Sequence, residues 1–303
     1  IHYEDILSYS RDEFSDLDVY ERLAVKDIQS AADLLKDIYA SSGGTDGFVS
    51  LEVNPHLAND TKSTIAEGQR LVDLVDRDNL MIKVPGSKEG LPAITELISR
   101  SINVNVTLIF SNAVYSEVRK AYMAGLEKLL SNGGDVSKVS SVASFFVSRV
   151  DTVVDSQLQT IDSTESRLLL STVAIANAKQ AYRDFRIEFS SDRFVKLEKL
   201  YGANVQKPLW ASTSTKSAEL SDVLYVDSLI GVNTVNTMPD VTLNAFKDHG
   251  NPSHTLETGL GKSDSQINSL SQLGVNLAEV TDNLVFDGVV AFQESFDKLI
   301  SEI

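Results

Sequence analysis

Alternation of apolar and polar residues marks three short segments of this chain, at 49–53, 80–84 and 102–108. A side-chain period of two is typical of β-strands, because successive side chains point to opposite faces of a sheet. In each segment an aliphatic face opposes a face that carries polar side chains. The polar residues are, in chain order, Ser50, Glu52, Lys83, Asn103, Asn105 and Thr107. Parallel strands that are buried on both faces normally lack such alternation, so the pattern predicts one packed face and one polar face.

Six segments in total have the β-branched and apolar composition of strands and are bounded by turn residues. They are FVSLEV (48–53), LMIKVP (80–85), INVNVTLIF (102–110), SVASFFVSRV (141–150), PLWAS (208–212) and TVNTMP (234–239). Helical periodicity separates them. One helix is predicted after an N-cap at Asp60, a second has Pro92 in its first turn, and a third follows Ser111. Further helices are predicted at 165–189, at 193–200 and from Pro239 to the end.

Alternation of strand and helix predicts a parallel sheet. A polar inner face near the carboxyl ends of successive strands favours a (β/α)8 barrel with its site at that end, over an open doubly wound sheet as the alternative. Such a barrel needs eight strands, and only six are recognisable. Because no linker divides the sequence, residues 1–303 are interpreted as one barrel domain, and the absence of an initial methionine indicates an N-terminally incomplete one.

Composition narrows the possible partners. A net charge of −16 disfavours nucleic acid, and it requires a local cluster of cations for any phosphorylated ligand. The longest apolar runs are far shorter than the roughly 18 residues that span a bilayer, so we expect a soluble, cytoplasmic protein with no membrane partner. The chain has no cysteine, and its four histidines are not paired at metal-ligand spacing, so a zinc site is not expected.

Lys83 is the residue whose position needs a chemical explanation, since it lies between Ile82 and Val84 in a strand pattern. Burial disfavours the charged form of an amine, and a free amine is the nucleophile of Schiff-base aldolases. The alternative is a structural lysine that pairs with an inward carboxylate such as Glu52 or extends its amine to solvent. Glu52 in turn is either that ion-pair partner or a proton carrier, and Asn105 and Thr107 could merely satisfy each other.

The order and content of these segments resemble the transaldolase family, in particular its longer bacterial and cyanobacterial-type branch, along nearly the whole chain. The segments that carry the resemblance are FVSLEVNPHLANDT, LMIKVPGSKEGLPAI, INVNVTLIFS, SVASFFVSRVDT, PLWASTSTK and TVNTMP. The resemblance implies a barrel of the class I aldolase type. It also implies that Lys83 is the Schiff-base lysine and that Glu52 assists a catalytic water, with Asn105 and Thr107 as a polar pair beside the lysine.

The same resemblance implies a substrate- and phosphate-binding segment in SFFVSR, with Ser144, Phe146 and Arg149 as its binding residues. Ser212 and Lys216 of ASTSTK are similar to a further hydroxyl and cation of the family. Many members have an arginine two residues closer to the serine, so the assignment of Lys216 departs from the commoner pattern.

The family's first strand carries an acid/base aspartate, and its second strand ends in a Thr-Asn-Pro motif, but neither is found in this sequence. This absence would account for six strands instead of eight. The acidic segment near the start is too charged for a barrel strand and matches the family's first helical region, so its aspartates are predicted to be solvated. They are Asp5, Asp12, Asp16 and Asp18.

The resemblance implies a transaldolase, which transfers a three-carbon dihydroxyacetone unit through a lysine Schiff base in the pentose phosphate pathway and requires neither a metal nor an organic cofactor. The donors would be sedoheptulose 7-phosphate or fructose 6-phosphate, and the acceptors aldose phosphates. One alternative is a Schiff-base aldolase that releases the unit to water, and another is a non-catalytic, truncated paralogue. A homodimer is the oligomer considered.

Overall fold

Six parallel strands form the centre of the computed structural model, which describes residues 14–303. The strands are β1 (Val49–Glu52), β2 (Leu80–Pro85), β3 (Val104–Ile109), β4 (Ser141–Phe146), β5 (Gln206–Ala211) and β6 (Val235–Asn236). Each strand pairs in parallel with the next, so their order in the sheet follows the chain. The sheet curls as a half-barrel, which agrees with the predicted barrel class. It lacks the reversal of strand order that is typical of a doubly wound sheet.

One long helix precedes the first strand, and the other helices connect the strands or follow the last one. They are α1 (Asp16–Ser41), α2 (Thr61–Val75), α3 (Gly90–Ser99), α4 (Asn112–Ser131), α5 (Ser148–Ile161), α6 (Thr164–Arg167), α7 (Val173–Glu188), α8 (Asp192–Tyr201), α9 (Leu224–Ser228), α10 (Asp240–His249), α11 (Leu260–Gln272) and α12 (Leu277–Ser301). Short 3-10 turns lie at Pro55–Leu57 and Val136–Lys138. Within residues 14–303, no helix combines the length and the apolar character that crossing a membrane would require.

The outward face of the sheet packs against these helices through fully buried aliphatic residues such as Ile82 and Val104. Helices α3 and α4 approach each other closely at Gly125. A Cβ atom at that position would lie 2.6 Å from the Cβ of Ile98 and 2.9 Å from the carbonyl oxygen of Thr95. The absence of a side chain there allows the two helices to pack tightly.

The predicted helix starts are confirmed at Asp60 and Ser111, whose side chains accept hydrogen bonds from the backbone N–H groups of Ser63 and Val114. Asp16 and Asp18 are exposed in the first turn of α1, where Asp18 completes a capping box with Ser15. The prediction that these two aspartates are solvated is therefore confirmed. Asp5 and Asp12 lie outside the described residues.

Several predicted boundaries were wrong, among them the strand predicted at 234–239, which is confined to Val235–Asn236. The strand predicted at 141–150 ends at Phe146, because Val147 has helical dihedral angles and α5 begins at Ser148. The helix predicted at 165–189 is interrupted at 168–172, where the N–H of Ser171 bonds to the carboxylate of Asp155 instead of a helical carbonyl. The region after Pro239 contains three helices, and residues 250–259 between the first two are not helical.

Strand β3 also departs from the predicted alternation near its carboxyl end. Leu108 has a φ angle of +57°, and the pairing register with β4 shifts between Val106 and Ile109. A left-handed conformation is rare for a bulky residue and here marks a β-bulge. Leu108 consequently leaves the face shared by Val104 and Val106, and its side chain contacts Gly288 of α12.

Candidate active site

Lys83 and Glu52 are paired residues of the adjacent strands β2 and β1. The Nζ atom of Lys83 donates to Oε2 of Glu52 at 3.2 Å, and the two side chains are 26% and 31% exposed. Burial raises the pKa of Glu52 above its usual value, although the neighbouring ammonium acts to lower it. The ion pair that the sequence analysis gave as the alternative is therefore present. Its partial exposure also leaves the amine within reach of a small molecule.

Asn105 is the partner of Lys83 on the other side, in strand β3. Its amide nitrogen donates to the hydroxyl of Ser50 at 3.1 Å, and its Oδ1 accepts from the hydroxyl of Ser144 at 2.7 Å. These bonds link β1, β3 and β4 on the inner face. Asn103 was predicted to lie on the same polar face, but it is not part of this hydrogen-bonded group. Its amide nitrogen donates instead to the backbone carbonyls of Asp78 and Leu80.

Thr107 lies two residues beyond Asn105 and is fully buried. Its hydroxyl has no hydrogen-bond partner within residues 14–303. The alternative in which Asn105 and Thr107 form a hydrogen bond with each other is therefore wrong. An unpaired buried hydroxyl is costly, and this makes it a candidate partner for a bound water or substrate group.

Arg149 lies in the first turn of α5 and not in a strand, contrary to the prediction. Its guanidinium carbon is 5.3 Å from the ring centroid of Phe146, which in turn packs against Phe110. Among the described residues, Arg149 makes neither a hydrogen bond nor an ion pair. A cation held by an aromatic face with free donors can bind a phosphate.

Ser212 has a φ angle of +57° after the end of β5, and its hydroxyl lies 2.8 Å from that of Ser148. The N–H of Ser148 also donates to the carbonyl of Ser212, which ties the start of α5 to this loop. Ser148 was missed by the sequence analysis because the contact joins segments 64 residues apart. Ser212 and the exposed Lys216 border one cavity of about 300 Å³.

One residue outside the predicted set contacts it, and another is buried in the helix that carries Arg149. The ring centroid of Phe292, from α12, is 5.3 Å from Nζ of Lys83. Asp151, one turn into α5, is buried and accepts from the N–H of Ala174 at 2.7 Å and the hydroxyl of Tyr225 at 3.0 Å. Burial raises the pKa of Asp151 to about 7. Neither contact has a signal in the local sequence.

Comparisons with known proteins identify the family of this chain. The family described as Transaldolase/Fructose-6-phosphate aldolase matches residues 2–303. Transaldolase 1 of Streptomyces coelicolor is 45% identical over 282 residues, which cover 93% of this chain and 74% of that protein. The transaldolase of Parafrankia sp. is 47% identical over 282 residues, covering 93% and 76% of the two chains. That of Mycolicibacterium smegmatis is 47% identical over 275 residues, covering 90% and 74%. The chain therefore belongs to the transaldolase/fructose-6-phosphate aldolase family.

Proposed function

We propose that this protein is a transaldolase that transfers a three-carbon unit from a ketose phosphate to an aldose phosphate through a Schiff base on Lys83. Relatives of that name, at about 45% identity over most of the chain, support an enzyme of the transferase class. The observation that carries the proposal is the Lys83–Glu52 pair, in which a partly exposed amine contacts a carboxylate of raised pKa. No neighbouring residue on β1 or β3 offers a second amine.

The first steps follow from this pair. The free amine of Lys83 attacks the ketose carbonyl, and the resulting carbinolamine must lose its hydroxyl as water to form an iminium. Glu52 is placed to supply a proton to that hydroxyl, since burial favours its protonated form at a higher pH than usual. The donor hydroxyl next to the cleaved carbon–carbon bond then loses its proton to a base, the iminium accepts the electrons of that bond, and a first aldose phosphate leaves. The enamine that forms attacks the carbonyl carbon of the acceptor aldose, whose oxygen takes up a proton.

Substrate binding is assigned to the polar groups that surround the pair. Asn105 and Ser144 lie beside Lys83 on the inner face, and the buried, unpaired hydroxyl of Thr107 would contribute to binding through a bound water. Arg149, held against Phe146, is proposed to bind the phosphate. Ser212 and Lys216 border the adjoining loop cavity and would add a hydroxyl and a second cation to that subsite. These substrates would place the enzyme in the pentose phosphate pathway.

Borohydride trapping tests the nucleophile. Incubation with fructose 6-phosphate and borohydride should give a covalent adduct on the peptide that contains Lys83, identified by mass spectrometry. Lys83→Ala should abolish the adduct, and Lys83→Arg should also abolish it because a guanidinium stays protonated. Lys88→Ala, a change to an exposed lysine in the loop after β2, is the matched control and should retain it.

Adding erythrose 4-phosphate separates the candidate activities. Formation of sedoheptulose 7-phosphate would support transfer, whereas release of dihydroxyacetone at the same rate with and without the acceptor would identify an aldolase. An adduct on another lysine, or none in the parent protein, would reject the assignment of Lys83.

A further inference from the structure

Phe292 is held beside Lys83 by the packing of α12 across the strands. One turn before it, Gly288 contacts Leu108, and a Cβ atom at Gly288 would be 2.8 Å from Cδ2 of that leucine. Gln293, the residue after Phe292, donates from Nε2 to the carbonyl of Pro55 at 3.3 Å. The helix is therefore fixed at two points near the ring that faces Nζ of Lys83.

A cavity of about 490 Å³ lies against the same ring. Its apolar wall comes mainly from α1, α2 and α12, through Leu17, Val25, Leu71, Phe296 and Leu299. Glu52 and Phe292 both border the cavity, whereas Lys83 is not among its lining residues. The aromatic ring and the carboxylate thus separate the amine from a space large enough for many water molecules, each of which occupies about 30 Å³ in the liquid.

We propose that Phe292 is a positioning residue that shields the Lys83 adduct from this cavity and so favours transfer of the three-carbon unit over its release to water. This inference rests on the proposed function. The adduct nitrogen is cationic as an iminium, and the face of an aromatic ring attracts a cation at the observed distance of 5.3 Å. The ring therefore both stabilises the charged adduct and occupies the side from which cavity water would approach.

The competing reaction is a hydrolysis. After the enamine takes up a proton on carbon, a water oxygen bonds to the iminium carbon while the C=N π electrons move to nitrogen and a water proton passes to Glu52. The C–N bond then breaks with its electron pair on Lys83, which gains a proton, and loss of the hydroxyl proton leaves dihydroxyacetone. Water supplies both the attacking oxygen and the proton that Glu52 receives. The rate of hydrolysis therefore depends on how much of the adduct water can reach.

Phe292→Ala should raise the ratio of dihydroxyacetone released to sedoheptulose 7-phosphate formed, measured with fructose 6-phosphate and erythrose 4-phosphate. We expect a change of about two- to fivefold, the factor that corresponds to one partly exposed contact between a cation and an aromatic ring. Phe292→Tyr keeps the ring and should restore the parent ratio. Phe296→Ala enlarges the same cavity without removing the ring at Lys83, and should leave the ratio unchanged.

An assay without substrate distinguishes the shielding role of Phe292 from the proposed transaldolase function. Acetylation of Lys83 by acetic anhydride, normalised to Lys88 in the same protein, should accelerate in Phe292→Ala and not in Phe296→Ala. Unchanged acetylation, or equal changes in the release ratio for both alanine variants, would overturn the shielding role. Absence of a borohydride adduct in the parent would instead reject the proposed function, while acetylation would still decide whether the ring shields the amine.

Discussion

Asp151→Asn should change how stability depends on pH. The carboxyl group of Asp151 is buried, and burial raises its pKa to about 7, from 3.8 for an unperturbed aspartate. The neighbouring carboxylate of Asp155 adds to this rise, whereas the hydrogen bonds from Ala174 and Tyr225 oppose it. The folded protein therefore retains a proton on Asp151 over a pH range in which the unfolded chain has lost it.

The sign and size of the effect follow from proton linkage. Between about pH 4 and pH 7 the folded state binds more protons, so the free energy of unfolding falls as pH rises through this window. A difference of about three pKa units corresponds to a loss of about 4 kcal/mol by pH 8. Asparagine is neutral at every pH, its oxygen can still accept from the N–H of Ala174, and its amide can donate to the hydroxyl of Tyr225.

Urea unfolding of the parent and variant at pH 5, 6, 7 and 8 measures this difference directly. Part of this loss has already occurred by pH 5, so the variant should gain about 2–3 kcal/mol over the parent between pH 5 and pH 8. Asp287→Asn removes an exposed carboxylate from α12 and controls for the general loss of negative charge. If the stability difference between Asp151→Asn and the parent is the same at pH 5 and pH 8, the carboxyl group is ionised in the folded state throughout and the reasoning fails.

Two further changes test binding and packing. Arg149→Ala should raise the Michaelis constant for fructose 6-phosphate by the equivalent of about 1.5–3 kcal/mol, the value of a charged hydrogen bond. An unchanged preference for phosphorylated over unphosphorylated fructose would contradict its phosphate role. Gly125→Ala should lower the free energy of unfolding by about 1–3 kcal/mol, because its Cβ would overlap Ile98. Gly261→Ala, where no atom lies within 4 Å of the added carbon, should not lower the free energy of unfolding in the same urea titration, since alanine is the better helix former.

The alternation of side chains was sufficient to place Glu52, Lys83 and Asn105 on one face, and the strand register brings them into adjacent positions. This worked because the period of a strand is fixed by its backbone, so one correctly identified face determines every second residue. The same rule failed at Leu108, where a β-bulge inserts a left-handed residue. Nothing in the composition of NVTLIF indicates that bulge, since leucine is a poor residue for a positive φ angle.

Strand β4 shows a second limit. Its sequence remains rich in β-branched and aromatic residues through Val147 and Val150, yet the chain turns into a helix at Ser148. The N–H groups of Val147 and Ser148 bond to the carbonyls of Ala211 and Ser212, so contacts with a distant strand decide the boundary. The contact between Phe292 and Lys83 also could not be predicted from local sequence, because it depends on where α12 crosses the sheet.

Hydrogen-bond satisfaction separates the structural polar residues on the inner face from the candidates for chemistry. Asn105 bonds Ser50 and Ser144 through the two ends of its amide, which fixes it next to Lys83 and leaves one donor and one acceptor position for a substrate. Lys83 has three donors and makes one hydrogen bond, to Glu52, within the part of the chain that the structure describes. Thr107 makes none there although it is fully buried. The free donors of Lys83 are partly exposed and can bind a substrate, whereas the hydroxyl of Thr107 is buried and would be completed by a bound water.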